Sequence, residues 1–215
     1  MPVKVGLKKI EVWGSDLEGE VCRYEQEQVE KGQIVFYGPS NFTRWKREKW
    51  GNTPLREALP GKSGKLCCIN RGFGSSCAEQ QLYYYSRLVR PLAPKVLVYF
   101  PGFGNGFTFG YTAEEQFELA VRVMVWAKTD FPDLRIYLCG LSNHGLGSDS
   151  AKRFNALLCG YAETTPDCKF INLAARKELD DPAIYVEDNV HFNHEGYIRY
   201  AALFREVLRD ELAEF

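Results

Sequence analysis

Residues 34–45 read Ile34-Val35-Phe36-Tyr37-Gly38-Pro39-Ser40-Asn41-Phe42-Thr43-Arg44-Trp45. Four apolar residues run without a polar alternate into Gly-Pro-Ser. A run of that length and composition suits a strand covered on both faces, which is the condition of strands in a parallel sheet. The segments QIVFY (33–37), KLCCI (65–69), KVLVYF (95–100), LRIYLC (134–139) and CKFINL (168–173) share this character. Helical patterns separate them. In 113–128, Phe117, Ala120, Val121, Met124 and Val125 form one stripe; in 195–212, Tyr197, Tyr200, Ala201, Phe204, Val207 and Leu208 form another. Residues 16–30, 77–90 and 149–162 also read as helices, 51–64 as loop and turn, and 3–13 as an added edge strand. Alternating strands and helices predict an α/β fold, a doubly wound, flavodoxin-like three-layer sandwich with a mainly parallel five-stranded sheet.

The 215 residues suit a single domain over 1–215, with residues 1–32 as an N-terminal extension packed on it. A net charge of −1 and the lack of a basic stripe argue against nucleic acid as a partner. No apolar run is long enough to span a bilayer, so no membrane partner is expected. The opening MPVKVGLKKIEVWG alternates apolar and polar residues rather than forming a signal peptide's apolar stretch. With an odd count of seven cysteines, this predicts reduced thiols and a cytoplasmic location. Cys67-Cys68 lies in an apolar run and reads as core. There is no Cys-x-x-Cys pair, and His191-x-x-His194 is not a metal-binding helix motif, so no metal site and no cofactor are expected. His194 reads as a surface residue at a helix start.

In doubly wound sheets, ligands sit beyond the carboxyl ends of the strands. Ser40 follows the first core strand, Asn70-Arg71-Gly72-Phe73-Gly74-Ser75 the second, Pro101-Gly102-Phe103-Gly104-Asn105 the third, and Asp188 and His191 the last. All four turns therefore open on one edge. A serine hydroxyl needs a base to become a nucleophile, and the base needs an orienting partner. Asp188-x-x-His191 can supply both; taken alone the spacing reads more readily as a solvated loop entering a helix, and its placement at this edge opposite Ser40 reverses that preference. The site needs donors where charge develops on a carbonyl oxygen. The backbone of the Asn70–Ser75 turn and the Asn105 amide can provide them, although a tight strand-to-helix turn and an Asn-Gly turn would explain the same residues.

Together these segments resemble the GDSL-type, or SGNH, hydrolases. That family carries Gly-Asp/Ser-Ser, Asn-x-Gly-x-x-Gly, Gly-x-Asn-Asp and Asp-x-x-His in this order. The chain has Gly38-Pro39-Ser40, Asn70-Arg71-Gly72-Phe73-Gly74-Ser75, Gly102-Phe103-Gly104-Asn105 and Asp188-Asn189-Val190-His191, over roughly 33–205. It is most similar to the branch with an NRGFGGS-like second block. The resemblance implies Ser40 as nucleophile, His191 as base and Asp188 as its partner. It also implies an oxyanion hole from the backbone N–H of Ser40, the backbone at Gly74 or Ser75, and Asn105. The implied activity is a serine esterase acting on a small-molecule ester, with small-acyl or carbohydrate esters as the expected substrates.

Three departures stand out. Pro39 replaces the usual acidic or hydroxyl residue. Serine stands at position 75, where the family has glycine, and an added residue separates Gly102 from Asn105, which is followed by Gly106. These departures motivate one alternative, a non-catalytic binding module on the same fold; a further alternative is an acyltransferase that passes the acyl group to an alcohol rather than water. Four residues are candidates for substrate binding: Arg71, Phe103, Phe107 and His144. For each a plainer reading stays open: Arg71 tying down a loop carboxylate, the phenylalanines packing a loop or a subunit contact, and His144 as an ordinary loop residue. Oligomeric state is not readable.

Overall fold

The computed structural model describes residues 4–10, 14–47 and 49–215. Its centre is a five-stranded sheet formed by β1 (Ile34–Gly38), β2 (Cys68–Gly72), β3 (Val96–Tyr99), β4 (Arg135–Cys139) and β5 (Cys168–Ile171). The strand order is β2-β1-β3-β4-β5 and every pairing is parallel. Helices cover both faces, as the near-continuous apolar strands require. They are α1 (Gly14–Gln26), α2 (Ser40–Thr43), α3 (Leu55–Ala58), α4 (Ala78–Leu88), α5 (Gly104–Thr108), α6 (Ala113–Asp130), α7 (Asp149–Thr164), α8 (His194–Val207) and α9 (Arg209–Ala213), with short 3-10 turns between. None among the described residues is long and apolar enough to cross a membrane.

β1 shows how the layers are built. Side chains alternate across a strand. Phe36 meets Phe42 (ring centroids 5.4 Å apart) and Phe204 of α8 (5.1 Å). The adjacent Tyr37 meets Phe73 and Tyr99, and its hydroxyl donates to the Gln81 carbonyl in α4. Trp45 extends the first cluster to Tyr200 (5.4 Å). The short helix bearing Ser40 is therefore held to α8 by a continuous aromatic core.

Several expectations change. The second strand starts three residues later than its apolar run suggests, so Asn70, Arg71 and Gly72 lie within β2 rather than after it. The polar residues are tolerated because each finds partners. Asn70 donates to the Phe42 carbonyl and accepts from the Gly72 N–H, both at 2.8 Å. Arg71 pairs with Glu27, the residue that follows α1, at 2.6 Å. On α6 the buried face is Gln116, Leu119, Ala120, Val123, Met124 and Ala127, while Val125 is 48% exposed. The expected stripe is thus rotated by about one residue. No strand forms over residues 4–10; residues 3 and 11–13 of the expected edge strand lie outside the described residues. Cys67 and Cys68 are both buried, as read from sequence.

Candidate active site

Pro39 is the N-cap of α2, with φ −82° and ψ −151°. That φ is close to what the ring enforces, and an N-cap N–H is not needed inside the helix. Proline is therefore compatible with this turn. It makes Ser40 the first helical residue, whose own N–H has no intrahelical acceptor. The following N–H groups of Phe42 and Thr43 turn back to the Pro39 carbonyl, and that of Arg44 to Ser40. Tyr197 of α8 donates to the Asn41 carbonyl at 2.8 Å. β2 approaches this helix so closely that a Cβ on Gly72 would lie 2.4 Å from the Thr43 nitrogen. Only glycine permits that contact, and it seats α2 on the end of the sheet.

The loop opposite is closed by an antiparallel bridge between Tyr185 and Phe192 and by a Val186 N–H to His191 carbonyl bond of 2.9 Å. Inside it, one Asp188 oxygen, Oδ1, accepts from the backbone N–H groups of Val190 and His191, both at 2.9 Å. The other, Oδ2, lies 2.7 Å from His191 Nδ1, and His191 Nε2 lies 2.7 Å from Ser40 Oγ. Residues 151 positions apart thus form one hydrogen-bonded row. A carboxylate accepts only, so Nδ1 carries the ring proton and Nε2 presents its lone pair to the serine.

The electrostatics suit proton abstraction. Burial would raise the Asp188 carboxyl, but the His191 backbone N–H, the imidazole and the Val190 N–H outweigh it and hold it down at about 2. Burial pushes His191 below the usual histidine value; Arg44 adds to the shift and Asp188 opposes it. At neutral pH the pair is an ionised carboxylate and a neutral imidazole.

Around Ser40, an ideal Cβ on Gly74 would lie 3.9 Å from Ser40 Cβ. Positive φ falls at Ser75 (+62°), not Gly74. Asn105 is on α5, and its amide donates to the Ser76 carbonyl at 2.9 Å, tying that helix to the turn after β2. α5 in turn rests on the buried Gln116. With its amide oriented to suit its neighbours, Gln116 donates to the Phe103 carbonyl (3.2 Å) and accepts from the Phe107 N–H (3.3 Å). A side chain at Gly106 would collide with Gln116, which explains glycine after Asn105.

The four substrate-binding candidates do not converge. Arg71 is 2% exposed and points away from Ser40. Besides Glu27 it donates to the Asn70 carbonyl, and its guanidinium stacks on Tyr24 at 4.7 Å. Its strand parity sends it toward Tyr24 of α1, while its neighbour Asn70 faces α2, so its observed partners are those of the plainer reading, a loop carboxylate tied down. Phe103 is almost wholly buried against Phe154, 5.3 Å between ring centroids, and serves the core. Phe107 is 57% exposed. His144 is exposed and stacks at 4.2 Å on Tyr185, at the base of the loop holding Asp188 and His191. His194 opens α8 at the surface.

Two residues outside the expected set contribute to the site. Asn70 pins α2, as described above. Arg44 lies one helical turn beyond Ser40; its Nη1 is 3.6 Å from Asp188 Oδ2, and its guanidinium lies 4.4 Å from the centroid of the Trp50 ring. The i to i+4 spacing from Ser40 was the available signal for Arg44. A groove of about 1100 Å³ runs beside edge strand β2, lined by Tyr24, Thr43, Trp45, Trp50 and Leu66 among others, and its lining includes neither Ser40 nor His191.

Neither a scan of protein-family models nor a search of curated proteins finds a match. Solved structures do match. A GDSL-like lipase from Bacteroides thetaiotaomicron superposes with a TM-score of 0.66 at 17% identity, covering 94% of this chain and 99% of that one. The psychrotrophic esterase EstA from Pseudoalteromonas sp., solved inhibited by monoethylphosphonate, gives 0.68 at 12% identity, covering 83% and 97%. A Clostridium thermocellum family 3 carbohydrate esterase gives 0.64 at 15% identity, covering 85% and 98%. Together with the parallel β2-β1-β3-β4-β5 sheet, these likenesses give the chain the fold of the GDSL-type, or SGNH, hydrolases.

Proposed function

We propose that the chain is a serine ester hydrolase. The observation that carries this reading is the row Ser40 Oγ, His191 Nε2, His191 Nδ1, Asp188 Oδ2, with 2.7 Å at each of its two hydrogen bonds. Ser40 Oγ attacks the ester carbonyl carbon while its proton passes to Nε2. Asp188 holds the tautomer and stabilises the imidazolium that forms. The carbonyl oxygen becomes an oxyanion, and this reading assigns the Ser40 N–H, the backbone N–H groups at Gly74 and Ser75, and the remaining N–H of the Asn105 amide as its donors. Collapse expels the alcohol, which takes the proton from Nε2. Water, deprotonated by the same nitrogen, then releases the acid from the acyl-serine. Small-acyl esters and carbohydrate esters are the substrates this reading favours, the latter supported by the fold likeness to the carbohydrate esterase.

The test is hydrolysis of a short-chain aryl ester. Ser40→Ala is expected to reduce the rate by roughly 10³-fold or more, and a fluorophosphonate probe to label Ser40 alone. Equal rates in the two proteins would remove Ser40 from the mechanism. The engagement of Asn105 with Ser76 favours a second reading, a binding module on this fold; an unlabelled Ser40 at high probe concentration selects it. Product analysis with added sugars separates hydrolysis from transfer to an alcohol.

A further inference from the structure

We infer that Arg44 is a positioning residue of this site: its guanidinium, braced on the Trp50 indole, holds the Asp188 carboxylate in line with His191 and sets the lower pH limit at which the Ser40–His191 pair works. This inference rests on the serine hydrolase reading. Arg44 is anchored from several directions. Its backbone N–H donates to the Ser40 carbonyl, and its own carbonyl accepts from Asn52 Nδ2 at 2.8 Å. Its side chain is 22% exposed and approaches Oδ2, the same oxygen that accepts from His191 Nδ1. A contact of 3.6 Å is longer than a hydrogen bond, so Arg44 acts there as a fixed charge and leaves the imidazole its acceptor.

The direction of the effect follows from charge. Among the described residues, the ionisable groups acting on His191 are Asp188 on its own loop and Arg44 after α2; the Tyr197 phenol of α8, pushed far up by burial, stays neutral. Arg44 repels the imidazolium and partly neutralises the carboxylate that would stabilise it. Both effects favour neutral imidazole, which is the form that can accept the serine proton. Removing the charge therefore moves protonation of His191 to higher pH, and activity at acid pH is lost first.

The test is the pH profile of fluorophosphonate labelling and of kcat/KM for an aryl ester. In the unaltered protein the acid limb should lie below the ordinary histidine value of about 6.5. Arg44→Gln should move it up by about half a pH unit or more while changing the rate above pH 8 by less than about tenfold. Arg44→Lys, which keeps the charge, should stay closer to the unaltered protein. Trp50→Leu, which frees the guanidinium, should move the limb in the same direction by less. A folded Arg44→Gln with an unmoved limb overturns the inference; if that variant does not fold, an unmoved limb in Trp50→Leu does so. A uniform loss of rate at every pH would also overturn it, since a merely structural role predicts that result. No labelling of the unaltered protein sinks the hydrolase reading instead.

Discussion

Ser75 occupies the left-handed region at φ +62° with an exposed side chain, in the turn that follows β2. An L-residue there costs roughly 1–2 kcal/mol relative to glycine's freedom, against which glycine loses about 0.5–1 kcal/mol of chain entropy. Ser75→Gly should therefore leave stability unchanged or raise it by up to about 1 kcal/mol in a denaturant titration; a loss larger than that would contradict the left-handed turn. The spacing of the second motif points to this position because the backbone geometry belongs to the motif and not to the side chain. Ser40, Asp188 and His191 are legible for a similar reason: each follows a strand that the apolar pattern marks, and strand ends share an edge. The contacts of Arg44 and of the Asn70 side chain are less legible, although Arg44's spacing from Ser40 and Asn70's place in the second motif put both near the site. Their roles depend on which groups the fold brings beside them, Asp188 in one case and the Phe42 carbonyl in the other. Arg71 misleads because its neighbours in sequence suggest a turn, whereas pairing with β1 extends the strand through it.

At the scale of elements, apolar runs locate all five strands but place β2 too early. Lys65 and Leu66 are exposed, and the ladder begins at the Ile34–Cys68 pair. A hydrophobicity pattern cannot register that an arginine deep in an edge strand has a partner waiting just past the end of α1. That partnership can be tested. Arg71 links β2 to Glu27, just past the end of α1, and Tyr24 in the last turn of that helix donates to the Gly72 carbonyl at 2.6 Å, so the end of α1 is tied to the strand in both directions. Arg71→Met keeps the stem but leaves Glu27 alone. Because Glu27 is 48% exposed and can rehydrate, the cost should be on the order of 2 kcal/mol, below that of a fully buried pair. The KM for ester should not change. A raised KM at unaltered stability would return Arg71 to the substrate site. The same logic explains α6, where the buried Gln116 displaces the expected stripe because α5 supplies its hydrogen-bond partners.

Across the whole molecule, the start of the chain is tied to the helices that support the site. The Lys9 N–H donates to Glu79 Oε1 at 2.6 Å and the Lys9 carbonyl accepts from Gln80 Nε2 at 2.9 Å, both at the first turn of α4, just after the Gly74–Ser75 turn. Tyr111 donates to the other Glu79 oxygen at 2.6 Å and accepts from the Lys8 N–H at 3.1 Å. Arg122 of α6 donates to the Val5 carbonyl at 2.9 Å. Glu79 has no solvent exposure, so its carboxylate depends on these donors rather than on water. With residues 2–9 in place, Glu79→Gln should destabilise by about 1.5–3 kcal/mol, the range for hydrogen bonds to charged groups. After deletion of residues 2–9, water reaches the carboxylate and the same substitution should cost little. The two changes should therefore be non-additive by on the order of 1 kcal/mol or more, read from denaturant midpoints of the four proteins. Additive effects would mean that the segment rests on α4 without being coupled to Glu79, and the aromatic core between α2 and α8 would then have to hold Ser40's edge of the sheet without help from residues 2–9.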